Sequence, residues 1–360
     1  MSRVLIFLFD GTGSEPITAT DPEPTNVFKI NLLIADSRIV RRKRHSQVTF
    51  YVPGIGTKFT SRSLKGAILQ LLFGDGLDEM IMRSYVNLAA NYRPGDRIIV
   101  IGFSRGAVAA RLFSRLVSDF GLLSAARLRF FSDILAEFSE AILLDFDRYQ
   151  SAAAECKARY GKQLVEVAPR IDFLGLFDCV RGMADSDYQN FLRVIDEKQS
   201  PNIRRYLHLM SLHDMRGEYQ LARLNPIANA GREVWVPGVH SDVGGGYHND
   251  LLAQMSLLTM ALALRKGAGI ALEQTALKNL INEINSGLDN GYFAVNREDD
   301  FVLRRNRSSY FRENDSLHYI HFRLLGAQVS WKGEGSVIYR NMFKLREDPW
   351  IKKLVLDAFR

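Results

Sequence analysis

The stretch that decides the fold is RIIVIGFSRGAVAARLFSRL, Arg97–Leu116. It opens on a short apolar run, the pattern of a strand buried on both faces. Ala107–Phe120 then reads as a helix. Between them stand Gly102-Phe103-Ser104-Arg105-Gly106. Gly-x-Ser-x-Gly alone is a weak signal. A strand before it and a helix after it turn it into a nucleophile elbow, in which the serine hydroxyl is exposed on a strained corner. Glycines flank such a serine because a Cβ there would strike neighbouring backbone. Ser104 is therefore the candidate nucleophile, and the N–H of Arg105, at the helix start, is a candidate oxyanion donor.

Four more short apolar runs read as strands: Val4–Phe9, Val48–Val52, Ile171–Phe177 and Val234–Val236. Helical patterns such as Gly76–Tyr92 lie between them. Strands alternating with helices predict an α/β fold, α/β-hydrolase-like, with a mainly parallel sheet and helices on both faces. Sites in such sheets form at the carboxyl ends of the strands. The strands here end in Asp10-Gly11-Thr12-Gly13, Pro53–Thr57, Gly102–Gly106, Asp178-Cys179 and Pro237–His240.

A serine hydroxyl needs a base, and in this fold the order is serine, acid, histidine. That order excludes His45. His240 directly follows a strand, in EVWVPGVHSDVGGGY, and Gly244–Gly246 let its loop bend; a plain turn residue is the competing reading. His208 and His213 lie in YLHLMSLHDMRGEY, which reads as helical and points to packing. His318 and His321 read as part of a strand, and His248 carries no signal. The acid that orients the imidazole is expected to be Asp178, which ends an apolar run. Asp172 lies inside that strand, and Asp242 is out of order and precedes no helix. The second oxyanion donor is expected from Gly11 and Thr12, against the reading of a plain turn. No Gly-Lys-Ser/Thr follows, so this is no phosphate loop.

Two cysteines, Cys156 and Cys179, exclude a disulfide framework and a four-cysteine zinc site. No cofactor or metal is expected; Asp185 and Asp187 read as solvated rather than as calcium ligands. Formal charge is +7, which fits a basic surface or attraction to an anionic membrane surface. Arg41-Arg42-Lys43-Arg44 reads as a loop, and one such run without an aromatic-basic repeat predicts no nucleic-acid site. Met1–Phe9 is a core strand rather than a signal peptide. Leu251–Leu264 is too short to cross a bilayer and reads as a buried helix. The expectation is cytoplasmic synthesis. Residues 121–170 carry Phe130, Phe131, Ile134, Leu135, Phe138, Ile142, Leu143 and Phe146 at three- and four-residue steps. They predict one or two amphipathic helices inserted in a single domain, 1–360, packed on the body or forming a lid. Leu272–Ile284 reads as helical; the role of the rest of 270–360 stays open.

FDGTG, PTNVFKI, YVPGIGT, YRPGDRIIVIGFSRGAVAARLFSRL, FLGLFDCV and EVWVPGVHSDVGGGY follow one another in an order that resembles the first family of type VI secretion lipase effectors and their stand-alone relatives. The resemblance covers residues 4–120 and 170–248. It implies an α/β-hydrolase domain that cleaves phospholipid acyl esters with Ser104, Asp178 and His240, export by type VI secretion, and a secretion-apparatus or immunity protein as partner. Departures lie at Phe177-Asp178-Cys179-Val180, where the family has Trp-Asp-Thr-Val. The family's helical His-Ala-Leu…Asp-Glu-x-Arg is met by His208–Arg216, with His213 in place of the aspartate and Asp214 and Arg216 kept. Its His-Pro-Ser-Val is blurred into His318–His321. These departures leave a small soluble ester or thioester as the alternative substrate.

Overall fold

Val4–Phe9 is buried along its whole length, which a strand achieves only with helices on both faces of its sheet. The computed structural model describes residues 3–11, 24–54, 76–167, 169–181, 203–217, 219–224, 231–248, 250–291, 293–297 and 306–359. Its strands are β1 (Val4–Phe9), β2 (Ser37–Val40), β3 (Lys43–Val52), β4 (Arg97–Phe103), β5 (Ile171–Phe177), β6 (Tyr206–Ser211), β7 (Gly231–Val236), β8 (Phe293–Val295), β9 (Ser316–Leu317), β10 (Gln328–Trp331), β11 (Ser336–Ile338) and β12 (Arg346–Glu347). Among the described residues, nine of these form one sheet in the order β12-β9-β7-β6-β5-β4-β1-β3-β2. All neighbours in it are parallel except the β2–β3 hairpin. β8, β10 and β11 make a small second sheet.

The helices are α1 (Asn26–Leu33), α2 (Leu77–Asn91), α3 (Ser104–Arg115), α4 (Phe131–Ala141), α5 (Phe146–Tyr160), α6 (His240–Gly244), α7 (Leu251–Ala263), α8 (Gln274–Asp289), α9 (Tyr319–Leu324) and α10 (Pro349–Leu356). Alternation along β1 divides the core. Val4, Ile6 and Leu8 join α1, α7, α8 and α10 on one face, whereas Leu5, Phe7 and Phe9 join α2 to α5 on the other. The fold is α/β, mostly parallel, with helices on both sides. Ile134, Phe138, Ile142 and Tyr149 from the 121–170 segment are buried in the second core, so its apolar stripe has a packing partner. α7 is buried on nearly every side, and among the described residues no helix is long and apolar enough to cross a membrane.

β1 and β5 have the expected bounds; β3, β4 and β7 are longer than expected. Three expectations are corrected. YLHLMS is the strand β6 and not a helix. All six of its residues are buried between β5 and β7, and burial of both faces removes the alternation that marks a strand. His318 and His321 belong to a helix and not to a strand: the His318 ring accepts from the Ile320 N–H and so starts α9 as its N-cap. The basic run is not a loop. Lys43 and Arg44 are in β3, and only Arg41 and Arg42 make the turn, with φ of 48° and 63°.

Candidate active site

β4 delivers Phe103 directly to Ser104, the first residue of α3. Ser104 has φ +58°, a left-handed conformation that costs a non-glycine residue energy. The surroundings enforce it. A Cβ at Gly102 would stand 2.6 Å from the Gly106 oxygen and from Ala107 Cα, and one at Gly106 would stand 2.2 Å from the Asp10 oxygen. The glycines thus let α3 close onto the ends of β1 and β4. Arg105 lies in the first turn of α3, at the positive end of the helix dipole.

Asp178 follows β5 and His240 opens α6 after β7. His240 Nδ1 lies 2.7 Å from Asp178 Oδ2. A carboxylate can only accept, so Nδ1 carries the proton and Nε2 is left as the basic atom. The imidazole packs at 4.6 Å from the ring of Phe103, the residue before Ser104, and at 4.9 Å from Tyr219. The His240 N–H donates to Asp214 Oδ2 at 3.1 Å. Arg216 holds that carboxylate at 2.7 Å and covers the Tyr219 ring at 3.5 Å.

Asp178 is fully buried. The Ser211 N–H reaches Oδ1 at 2.8 Å, the Ser211 hydroxyl reaches Oδ2 at 3.0 Å, and Arg307 reaches both oxygens at 3.5 and 3.2 Å. Burial by itself raises the carboxyl's pKa. The Arg307 charge, His240 and the Ser211 amide outweigh it and hold the group well below the ordinary carboxylate range.

The remaining expected residues sort as follows. Asp172 pairs with Arg97 at the start of the neighbouring strand. Asp242, expected to precede no helix, lies within the short helix α6. Its carboxylate accepts from the Val239 N–H at 2.9 Å and from the Asn296 side chain at 2.5 Å, which fastens the helix bearing His240. His208 stands behind Asp178: its Nε2 accepts from the Cys179 N–H at 3.1 Å and its Nδ1 donates to Glu233 at 2.9 Å. His213 Nδ1 accepts from the Gly238 N–H, and His318 meets Thr259. Gly11 does reach the serine: a Cβ on it would stand 3.3 Å from Ser104 Cβ. Its N–H, however, donates to Asp10 Oδ1 at 2.7 Å. Thr12, Asp185 and Asp187 lie outside the described residues. Among the described residues no group of three or more His, Cys, Asp or Glu could hold a metal ion.

Residues 3–264 match the family model for the type VI secretion phospholipase effector Tle1-like catalytic domain. The chain belongs to this family. The uncharacterized protein YEL023C of Saccharomyces cerevisiae is 26% identical over 245 residues, 62% of this chain and 33% of its own length. An uncharacterized protein from Pseudomonas aeruginosa is similar in structure with TM-score 0.44 and 19% identity, over 79% of this chain and 48% of that one. The Tle1 effector bound to the VgrG spike of the type VI secretion system has TM-score 0.38 and 18% identity, over 69% and 51%. The chain thus spans about a third to a half of the length of these relatives.

The Tle1-like motifs take on physical roles in the structure. In PTN, Thr25 donates to Asp10 at 2.7–2.8 Å, and Asn26 donates to the oxygens of Val243 and Ala253 at 2.8 Å. The motif therefore ties β1 to the helix of His240. Sequence reasoning missed Ser211, Arg307, Tyr219 and Asn296. Ser211 was hidden by the helical reading of β6, and the others come from stretches with no distinguishing pattern.

Proposed function

We propose that this chain is a serine ester hydrolase of the phospholipase A type, acting on the acyl esters of phospholipids. Family membership supports the phospholipase class. The observation that carries the catalytic assignment is the 2.7 Å pair of His240 and Asp178, packed on Phe103 beside the left-handed Ser104. In this reading Ser104 Oγ attacks the acyl carbonyl while His240 Nε2 takes its proton. Asp178 steadies the imidazolium, and the Arg105 N–H at the start of α3 stabilises the oxyanion. Collapse of the tetrahedral intermediate breaks the C–O bond. His240 returns the proton to the leaving lysolipid alcohol. Water, deprotonated by His240, then attacks the acyl-enzyme and releases a fatty acid. No step calls for a metal.

The proposal treats the chain as one hydrolase domain with residues 121–170 as a helical insertion. It includes export by type VI secretion, with a spike or immunity protein as partner. The test is fatty-acid and lysolipid release from phosphatidylethanolamine–phosphatidylglycerol vesicles by wild type and by Ser104→Ala. Release by wild type alone is expected, with a loss of about 10⁴-fold or more in the variant. Equal release by both would remove Ser104 from the mechanism. Cleavage of short soluble esters with no attack on vesicles would transfer the enzyme to a soluble substrate.

A further inference from the structure

Arg307 stands outside the residues matched by the family model. It begins the 3₁₀ turn Arg307–Tyr310, more than a hundred residues after Asp178 in the chain, and only 2% of it is exposed. Its guanidinium spans the carboxylate of Asp178, with Nη2 3.2 Å from Oδ2 and Nη1 3.5 Å from Oδ1. Oδ2 is the oxygen that also takes His240 Nδ1. A buried cation is costly unless paired, so the fold brings it to this carboxylate for a reason stronger than packing.

We propose that Arg307 is a positioning residue of the catalytic centre, which clamps the Asp178 carboxylate and thereby holds the His240 imidazole in its working orientation. The inference rests on the triad reading given above. The fork fixes the plane of the carboxylate, and through the shared oxygen it fixes the direction of the imidazole.

Among the described residues, His240 is also held by Asp214, which Arg216 pairs, and by the Tyr219 ring. These contacts fall on its backbone N–H and on its ring face, whereas Arg307 grips the carboxylate that takes Nδ1.

The experiment measures, over a range of probe concentrations, the rate at which a fluorophosphonate labels Ser104. This readout needs no lipid substrate. Wild type should label and Ser104→Ala should not; failure of that comparison would count against the triad itself. With it in place, Arg307→Gln is expected to lower the limiting labelling rate by about tenfold and to leave the half-saturating probe concentration unchanged. An undiminished limiting rate in a folded Arg307→Gln protein would overturn the inference. Arg307→Lys keeps the charge and loses the fork, and should show the same loss. If Arg307→Gln does not fold, the lysine variant decides alone: an undiminished limiting rate rejects the clamp.

Discussion

Tyr51 donates its hydroxyl proton to Asp10 at 2.6 Å, one of the donors that surround this carboxylate at the end of β1, together with Thr25 and the Gly11 N–H. Burial nevertheless prevails and pushes the Asp10 carboxyl up to about 6. A folded-state value above the unfolded one means that the native protein binds the proton more tightly. Asp10 therefore adds stability at low pH and loses it as pH rises from about 4 to about 6, by about 3 kcal/mol in all. In urea unfolding, Asp10→Asn should remove this slope relative to wild type. Parallel stability curves for the two proteins across pH 4–7 would contradict it.

Glu233 shows the opposite sign. Burial raises its carboxyl, but the hydrogen bond of His208, the charge of Arg223 and the Leu224 amide bring it down to about 2. Its contribution is present above the unfolded value and is lost as pH falls from about 4 towards 2. Glu233→Gln should cost roughly 2–4 kcal/mol at pH 7, because Arg223 and His208 lose a buried anion. The cost should shrink near pH 3. A pH-independent loss in chemical denaturation would refute the electrostatic account.

Gly106 meets the Asp10 oxygen where its Cβ would be, at 2.2 Å. The obstacle is backbone, which cannot turn away as a side chain can. Gly106→Ala should destabilise the fold by about 2 kcal/mol or more, lower Tm by several degrees, and displace Ser104. Full thermal stability with full probe labelling of Ser104 would show that α3 has slack that the geometry denies.

The main sheet does not end where the family model does. β9 and β12 extend it past β7, and Leu317, Ile320, Leu324, Ile351, Leu354 and Val355 are buried. Truncation after Leu264 should leave β7 with an open edge and an apolar surface, prone to association. The expected outcome is aggregation and no probe labelling of Ser104. A monomeric, active 1–264 fragment would prove the C-terminal segment dispensable.

The turn at Ser104, the bounds of β1 and β5, and the pair of Asp178 and His240 could all be read from local pattern. Buried strands are apolar runs, and a nucleophile turn demands glycine at set positions. The helical reading of β6 failed for the same physical reason that β1 succeeded: burial on both faces leaves composition without period.

Arg307 and Asn296 could not be found that way. An arginine or asparagine in a polar stretch becomes a site residue only when distant chain is folded against it, as Arg307 is against Asp178 and Asn296 against Asp242. Local sequence determined which groups stand at the strand ends, because backbone sterics and hydrophobic periodicity act over a few residues. Tertiary structure alone decided which charges face them, because Coulombic and hydrogen-bond partners are chosen by distance in space.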